Sequence, residues 1–272
     1  MFQKYILLSM SKKFNLFIHS SMKQTLLAFF LCLIFTTNYA QIKPNEKLVY
    51  VASYNMNGLM TTMAQLSIET ELLKTSKSTY LHTSLTAETY KKWESYFKMR
   101  DLYESYVNPK TLKPSMYKRN VNETGYTKTE KYIFSKDGKS IKSTSQRKTS
   151  PETKRTVSIS ENTTDIVSLM LKLRTLDYQN FKLGQKKTLK LVFDEKEFSV
   201  SITFKGKETI KNNLLGAKSC YKISIGADSD ALSGKDQNLM WLSEDEKIPV
   251  LVKFNIPVGA GQLELKSIST TK

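Results

Sequence analysis

The sequence predicts a mainly β protein, an antiparallel sandwich or barrel of roughly a dozen strands with one docked helix. Apolar residues alternate with period two over most of residues 47–265, and turn signals recur about every 8–12 residues. Residues 163–176 have helical periodicity instead. No fixed-period repeat or low-complexity tract interrupts this pattern, so residues 41–272 are predicted to form one β-rich domain.

The first forty residues are interpreted as an upstream extension followed by a signal peptide. From Met22, the expected true start, the chain has a charged beginning, a short apolar run and a small residue, Ala40, at the expected cleavage position. Residues 1–21 are interpreted as a misassigned start, with an extended signal n-region as the alternative. Cys32 lies inside the apolar run without the small preceding residue that lipidation requires, which favours a signal core.

Removal of residues 1–40 leaves 232 residues and a strongly basic chain. Four lysines and no acidic residue are lost, so 38 basic residues remain against 25 acidic ones, a net charge of +13. For an exported protein, this charge favours anionic lipid, lipopolysaccharide or an acidic glycan as partner rather than nucleic acid. The alternative is a solvated basic surface without a partner. Cys220 is then the one cysteine, predicted to be a buried thiol without a disulfide.

The chain begins its alternation with a hairpin. Residues 47–54 alternate, Asn57-Gly58 supplies a turn that accepts positive φ, and residues 64–68 restart the alternation. A third strand is predicted over residues 79–86, with His82 on its polar face.

The middle of the chain is first aromatic and then polar. The fourth segment of the predicted sheet covers residues 93–107 and is rich in aromatic residues. The residues around Pro114 are predicted to form a weaker, edge-like strand. Residues 126–134 return to strand, and Asp137-Gly138 is a second hairpin signal. Residues 139–160 are rich in Ser, Thr, Lys and Arg, which predicts polar edge strands or a mobile loop.

Residues 163–176 form the one long helix predicted after the signal segment. Three apolar residues at helical spacing are expected to pack against a sheet: Ile166, Met170 and Leu173. Asp165 or a neighbouring threonine is expected to cap the first turn, and Lys172 is expected to face water.

The strand signal strengthens after Gly184. The predicted strands cover residues 189–193, 198–204, 221–225, 239–242, 248–256 and 263–265. Gly206 is expected to close the hairpin after the second of these strands, and the acidic turn 244–246 is expected to join the fourth to the fifth.

Five blocks in a fixed order carry a family resemblance. They are Asn45 to Tyr50 with Ser53-Tyr54 and Gly58; Phe97 to Tyr106; Asp165 to Arg174; Gly206 to Ile210; and Trp241 to Asp245 with Ile248 to Val250. Together they resemble the exported bacterial family known as domain of unknown function 3108. The resemblance implies a single antiparallel barrel-like or half-barrel-like domain, located in the periplasm or at the outer membrane of Gram-negative bacteria, including Bacteroidetes. It implies no activity. Asn45 replaces the usual Gly, but Asn also tolerates positive φ.

No catalytic, metal-binding or cofactor motif is found. One histidine and one cysteine after residue 40 cannot supply a zinc site, and the sequence pattern contains no nucleophile elbow. Asp101 and Glu104 are candidate paired carboxylates for an envelope glycan hydrolase, with His82 as a further candidate. The alternative is that Arg100 and Asp101 cross-link or cap strands.

Four residues are predicted to contact a ligand: Tyr54, Arg100, Tyr103 and Trp241. The rings of Tyr54, Tyr103 and Trp241 would line a barrel cavity, with core filling as the alternative. We therefore expect a non-enzymatic, monomeric envelope protein, peripheral to a membrane at most, that binds an amphiphilic or acidic ligand without metal or cofactor. A glycan or ester hydrolase and a structural or assembly partner in the periplasm are the alternatives.

Overall fold

The computed structural model describes residues 42–56, 58–227, 238–256 and 259–270, and the predicted signal segment lies outside these ranges. Within them the chain forms fourteen β-strands and one α-helix, α1 (Ile166–Thr175). The strands are β1 (Glu46–Met56), β2 (Leu59–Lys74), β3 (Thr79–Thr89), β4 (Arg100–Val107), β5 (Pro114–Glu123), β6 (Tyr126–Phe134), β7 (Ser140–Arg147), β8 (Thr153–Ser158), β9 (Lys186–Phe193), β10 (Lys196–Asn212), β11 (Gly216–Ala227), β12 (Asn238–Ser243), β13 (Pro249–Ile256) and β14 (Gly259–Thr270). Two 3-10 turns cover Lys91–Trp93 and Tyr178–Asn180.

All these strands belong to one antiparallel sheet. Its order is β8-β7-β6-β5-β4-β3-β2-β1-β14-β13-β12-β11-β10-β9. β1 to β8 form one meander, β9 to β14 form a second, and the pairing of β1 with β14 joins the two. β8 and β9 are the edges, so the sheet is not closed. The prediction of a mainly β, half-barrel-like domain with one docked helix is confirmed.

The turns that the sequence predicted lie between neighbouring strands of the sheet. Met56 pairs with Leu59, and Gly58 has a φ of 87°, so a hairpin turn joins β1 to β2. Asp137-Gly138 lies in the turn between β6 and β7, and residues 244–246 lie between β12 and β13. The polar strands expected within residues 139–160 are β7 and β8, of which β8 lies at the edge.

Three predictions of detail were wrong. Gly206 does not close a hairpin, because it lies inside β10 at a bulge, with a φ of 99°, and β10 continues to Asn212. Positive-φ glycines serve bulges as well as turns. Pro114 begins β5, which lies between β4 and β6 and not at an edge; a first strand residue tolerates the missing N–H. Residues 94–99 precede β4, which begins only at Arg100.

The helix α1 lies on the inner side of the curved sheet and is apolar on most of its sides. Four of its residues are almost fully buried: Val167, Leu169, Leu171 and Leu173. Leu169 and Leu173 pack with side chains of β9 to β12, and Val167 packs with side chains of β5 to β7. Leu171 packs against Leu81 and Val107. A helix that is apolar on most of its sides is stable only when other elements surround it, so α1 fills the interior of the half-barrel.

Polar contacts fix both ends of α1. Asp165 is the N-cap, as expected, and its Oδ1 accepts a hydrogen bond from the backbone N of Ser168 at 2.8 Å. Its Oδ2 accepts another from Ser105 Oγ on β4, also at 2.8 Å. At the other end, the Arg174 guanidinium donates to the Glu46 carboxylate at 2.5 and 3.1 Å, and both side chains are buried.

The helix prediction was correct in position, but three side chains differ in burial from what was predicted. Leu173 is buried as expected, whereas Ile166 and Met170 are half-buried. Lys172 does not face water freely, because it is half-buried and its Nζ donates to the carbonyl of Asn162 at 3.3 Å. Since the sheet curves around α1, a helix face that would be exposed on a flat sheet is partly covered here.

The segment before α1 links it to the edge strand β9. Thr164 N donates to the carbonyl of Lys190 at 2.9 Å, and Val192 N donates to the carbonyl of Thr164 at 2.8 Å. These two hydrogen bonds form a parallel bridge between Thr164 and Leu191. They attach the chain that leaves β8 to β9, although the two edge strands do not pair.

The β9–β10 turn, at one edge of the sheet, contacts strands β5, β6 and β7 of the first meander. Asp194 contacts Arg119 and Lys128, with a distance of 2.6 Å to Lys128 Nζ. The backbone N of Glu195 donates to Tyr132 Oη at 2.9 Å, and its carboxylate accepts from Ser143 Oγ at 2.7 Å. We call this junction the seam: Asp194 and Glu195 with Arg119, Lys128, Tyr132 and Ser143. Both turn residues have positive φ, 48° and 61°, a conformation unusual for residues other than glycine.

Candidate ligand-binding cleft

A cleft of about 560 Å³ opens at one end of the strands. Three chain segments form its rim: the β4–β5 turn, the β6–β7 turn and the segment that leads from β8 to α1. The lining residues are Tyr80, Tyr106, Asn108, Thr111, Lys113, Pro114, Ser115, Met116, Ile133, Phe134, Ser135, Lys136, Asp137, Gly138, Glu161, Asn162 and Thr163. Its volume lies within the range typical of small-molecule sites.

A row of apolar side chains across three strands lines part of the cleft. Tyr106 on β4 pairs with Met116 on β5, which pairs with Ile133 on β6. Directly paired residues of neighbouring strands project from the same face, so these three form one surface. Tyr80 extends it, with its ring edge-on to that of Tyr106 at 6.5 Å between centroids. Ile133 is 40% exposed although it is fully apolar.

The rim of the cleft carries charged side chains. Lys113 and Lys136 are exposed, and neither has a carboxylate partner among the residues that the structure describes. Asp137 is occupied by its own turn: it accepts from Ser135 Oγ at 2.5 Å and from the backbone N of Lys139 at 3.1 Å, which lowers its pKa. Two lysines are therefore available for an anionic group beside an apolar surface.

Side chain–backbone hydrogen bonds hold the β4–β5 turn in shape. Asn108 Oδ1 accepts from the backbone N of Lys110 at 2.9 Å and of Thr111 at 3.0 Å. Such Asx-type contacts replace the backbone pairing that a turn loses. Leu112 N also donates to the carbonyl of Asn108 at 2.8 Å. This turn therefore presents Lys113 from a fixed backbone.

His82 lies beside the cleft, between two carboxylates. Its Nδ1 is 2.9 Å from Glu71 Oε1, and its Nε2 is 3.0 Å from Glu104 Oε1. The imidazolium form can donate to both oxygens, whereas a neutral ring can donate to one. Tyr106 stacks on the imidazole at 4.4 Å and donates its hydroxyl to Glu104 at 3.2 Å. Burial and the Glu104 charge raise the pKa of Tyr106 to about 12. His82 thus lies on the polar face, as expected.

The structure separates the two candidate acids of a glycan hydrolase. Asp101 and Glu104 are three residues apart in β4 and therefore project from opposite faces of the sheet. Asp101 accepts from the backbone N of Asn122 at 3.0 Å, and burial raises its pKa. Glu104 instead contacts His82. The geometry fits strand cross-linking better than a pair of catalytic carboxylates.

The residues predicted to bind a ligand are dispersed, and none of them lines the cleft. Arg100 donates to the carbonyls of Thr89 at 2.8 Å and Met99 at 2.7 Å, and it contacts Glu94. These contacts correspond to the cross-linking alternative.

The predicted aromatic residues lie apart from one another. Tyr103 is half-buried, with its hydroxyl 3.5 Å from Asp101 Oδ2. Tyr54 is half-buried on β1, and five strands separate Tyr103 on β4 from Trp241 on β12.

Trp241 projects away from α1. Its neighbours Met240 and Leu242 belong to the core around the helix, whereas Trp241 packs with Cys220 and Val250 on the other face. Lys222 and Lys253 lie over its ring, at 5.2 and 5.6 Å from the centroid. Cys220 is fully buried, as predicted, and burial raises the pKa of its thiol to about 11.

The sequence contained the turn signals that form the cleft but not their convergence. Asp137-Gly138 is a turn signal in the sequence, and only the curvature of the sheet brings this turn to one rim with the β4–β5 turn. Within the described ranges, no group of three or more His, Cys, Asp or Glu residues is arranged to hold a metal ion. None of the helices described there is long and apolar enough to cross a bilayer.

The family described as "Protein of unknown function (DUF3108)" matches residues 49–266 of the chain. The fold is similar to the crystal structure of a β-barrel-like protein of domain of unknown function DUF1849 from Brucella abortus, with a TM-score of 0.53. That similarity covers 84% of this chain and 98% of the other at 6% sequence identity, so it concerns the fold alone. The search of curated proteins gave no match.

Proposed function

The chain belongs to the DUF3108 family of proteins of unknown function, and we propose that it is a non-enzymatic binding domain for an amphiphilic ligand with an acidic group. The cleft carries this proposal: its apolar row, Tyr106, Met116 and Ile133, lies beside Lys113 and Lys136, which have no described carboxylate partner. An apolar surface next to unpaired cations matches a molecule with a hydrocarbon part and an anionic head.

The proposed ligand binds at the end of the strands, because α1 fills the interior. Beneath the helix, a void of about 20 Å³ is lined by Leu48, Ile68, Met170 and other core side chains. That volume is about enough for a single water molecule. The cleft, at about 560 Å³, has room for part of a lipid or glycan.

The proposal includes an exported location. It rests on the signal-like segment from Met22 to Ala40 and on the net charge of +13 that remains after it. In the envelope of a Gram-negative bacterium, anionic lipids, lipopolysaccharide and acidic glycans are available ligands for such a surface.

Mass spectrometry of molecules that co-purify with the protein from its own envelope tests the proposal. The protein should retain an acidic amphiphile, and Lys113→Glu/Lys136→Glu should lose it. The matched control, Lys187→Glu/Lys211→Glu, reverses the charge of two exposed lysines outside the cleft and should retain the ligand.

A defined probe gives a second measurement. Fluorescently labelled palmitate should bind the wild-type protein and the control, and the cleft variant at least about tenfold more weakly. A protein that purifies empty and binds no palmitate, or a control that loses binding as strongly as the cleft variant, would contradict this function.

A further inference from the structure

A second surface lies at the opposite end of the strands from the cleft. We call it the tip surface: Met56, Leu59, Met60, Tyr96 and Phe97. Leu59 is 74% exposed and Tyr96 is 78% exposed, and the other three are at least 40% exposed. Single exposed apolar residues are ordinary, but five in two adjacent segments form a patch.

Specific contacts hold the two segments of the tip surface together. Trp93 Nε1 donates to the carbonyl of Thr62 on β2 at 2.9 Å, and Tyr90 N donates to the carbonyl of Met63 at the same distance. Thr62 is three residues from Leu59, or roughly 10 Å along a strand. The Tyr96 ring lies 5.9 Å from that of Trp93. The β1–β2 turn and the segment after β3 therefore form one surface.

The tip surface is bordered by positive charge. Residues 90–100 contain four cations and one carboxylate, Glu94, which is paired with Arg100. Lys91, Lys92 and Lys98 are exposed and have no carboxylate partner among the described residues. Lys92 lies over the Trp93 ring at 5.7 Å. Apolar and aromatic side chains next to lysines are the combination that inserts into the headgroup region of an anionic membrane.

We propose that the tip surface docks the protein on an anionic lipid bilayer. Leu59, Met60 and the rings of Tyr96 and Phe97 enter the interface, and the three lysines contact lipid phosphates. This goes beyond the cleft's proposed function, because a membrane surface is the partner and different residues carry it. β3 runs from Tyr80 at the cleft to Thr89 at the tip, about 30 Å. The docked protein would hold its cleft that far from the bilayer.

Vesicle co-sedimentation tests this inference on the exported chain recovered from cells. The wild type should bind vesicles of equal parts phosphatidylglycerol and phosphatidylcholine, and bind vesicles of phosphatidylcholine alone much more weakly. Leu59→Asp/Tyr96→Asp should raise the lipid concentration for half-binding by about tenfold or more. Leu183→Asp, at an unrelated leucine that is 77% exposed, is the matched control and should leave binding unchanged.

Variants with reversed lysine charges provide a second test of vesicle binding. Lys91→Glu/Lys92→Glu/Lys98→Glu should abolish the preference for phosphatidylglycerol, whereas Lys182→Glu/Lys187→Glu/Lys211→Glu should preserve it. Tyr96→Trp should show a blue shift of its fluorescence when vesicles are added.

Several results would overturn the docking inference. They are absence of wild-type binding, equal loss in the Leu183→Asp control, equal binding to both vesicle types, or a tip variant that alters the oligomeric state without vesicles. The last result would assign the surface to a second copy of the chain. Palmitate binding separates the two proposals, because tip variants should keep it while the Lys113→Glu/Lys136→Glu cleft variant should keep vesicle binding.

Discussion

The two meanders of the sheet meet twice, and the two junctions are built differently. At one junction, β1 and β14 form a ladder from Glu46–Thr270 to Tyr54–Gly261, with one bulge between Val49 and Tyr50. At the other, the edge strands β8 and β9 do not pair, and the two meanders are connected by α1 and by the seam between the β9–β10 turn and strands β5 to β7. Backbone hydrogen bonds do not depend on side-chain identity, whereas the seam depends on particular side chains. We therefore expect substitutions of similar type to cost more on the α1 and seam side.

The largest effect is expected inside the half-barrel, at α1. Leu173→Asp would place an unpaired carboxylate at a position that is 2% exposed, at a cost of at least about 4 kcal/mol out of a typical stability of about 5–15 kcal/mol. Chemical denaturation and the yield of soluble protein measure this. Leu183→Asp makes the same change at an exposed site and should be nearly silent. Equal tolerance of both would show that α1 is not an essential part of the core.

The second effect concerns the cations of the seam and the buried carboxylate of Glu130 that lies beside them. Glu130, with a fully buried side chain, lies 3.1 Å from both Arg119 and Lys128. Arg119→Met removes one of these cations and also a contact of Asp194, so we expect a loss of about 3–5 kcal/mol. Lys154→Met removes an exposed ion pair with Glu152 and should cost less than about 1 kcal/mol. Similar urea midpoints for the two variants would contradict the importance of the seam.

Local patterns predicted the elements of this fold, while the seam could not be foreseen. Asn57-Gly58 and the helical spacing of residues 163–176 act over a few residues, and both led to correct elements. Arg119 and Asp194 are 75 positions apart, and nothing in their local sequence indicates that they meet. The cleft was missed for the same reason, since its rim joins three segments that are distant in the sequence. The prediction that Gly206 closes a hairpin was wrong because its positive φ belongs to a bulge within β10.

The third prediction concerns the acid sensitivity of two carboxylates, Asp194 in the seam and Glu197 on β10. Burial of Asp194 opposes its ionisation, but the hydrogen bond from Lys128 and the charge of Arg119 outweigh it and lower its pKa. Hydrogen bonds from Thr163 and Ser160 likewise outweigh burial at Glu197 and lower its pKa. A carboxylate whose pKa is lowered by folding stabilises the folded state at any pH above its unfolded-state pKa, which is roughly 4. This stabilisation is lost as the pH falls through the lower pKa of the folded state.

The wild type should therefore lose its stability advantage over Asp194→Asn/Glu197→Gln as the pH is lowered from 6 to 3. Urea midpoints of both proteins at each pH measure the difference, and asparagine tolerates the positive φ at position 194. The comparison with the variant removes contributions of other carboxyls, such as the buried Asp165, whose pKa is raised. A constant difference across this range would exclude the two carboxylates as a source of acid sensitivity.

The smallest change in stability is expected from a pair of serine substitutions, one at each junction. Ser143 is buried and donates to the Glu195 carboxylate at 2.7 Å, so Ser143→Ala leaves a charged acceptor with one hydrogen bond fewer and should cost about 1–2 kcal/mol. Ser269 is exposed on β14, opposite Lys47 of β1, and Ser269→Ala keeps the backbone ladder, so it should change stability by less than about 0.5 kcal/mol. Denaturant midpoints of the two variants measure the contrast. If Ser269→Ala cost as much as Ser143→Ala, the β1–β14 junction would also depend on its side chains, and the proposed difference between the two junctions would be wrong.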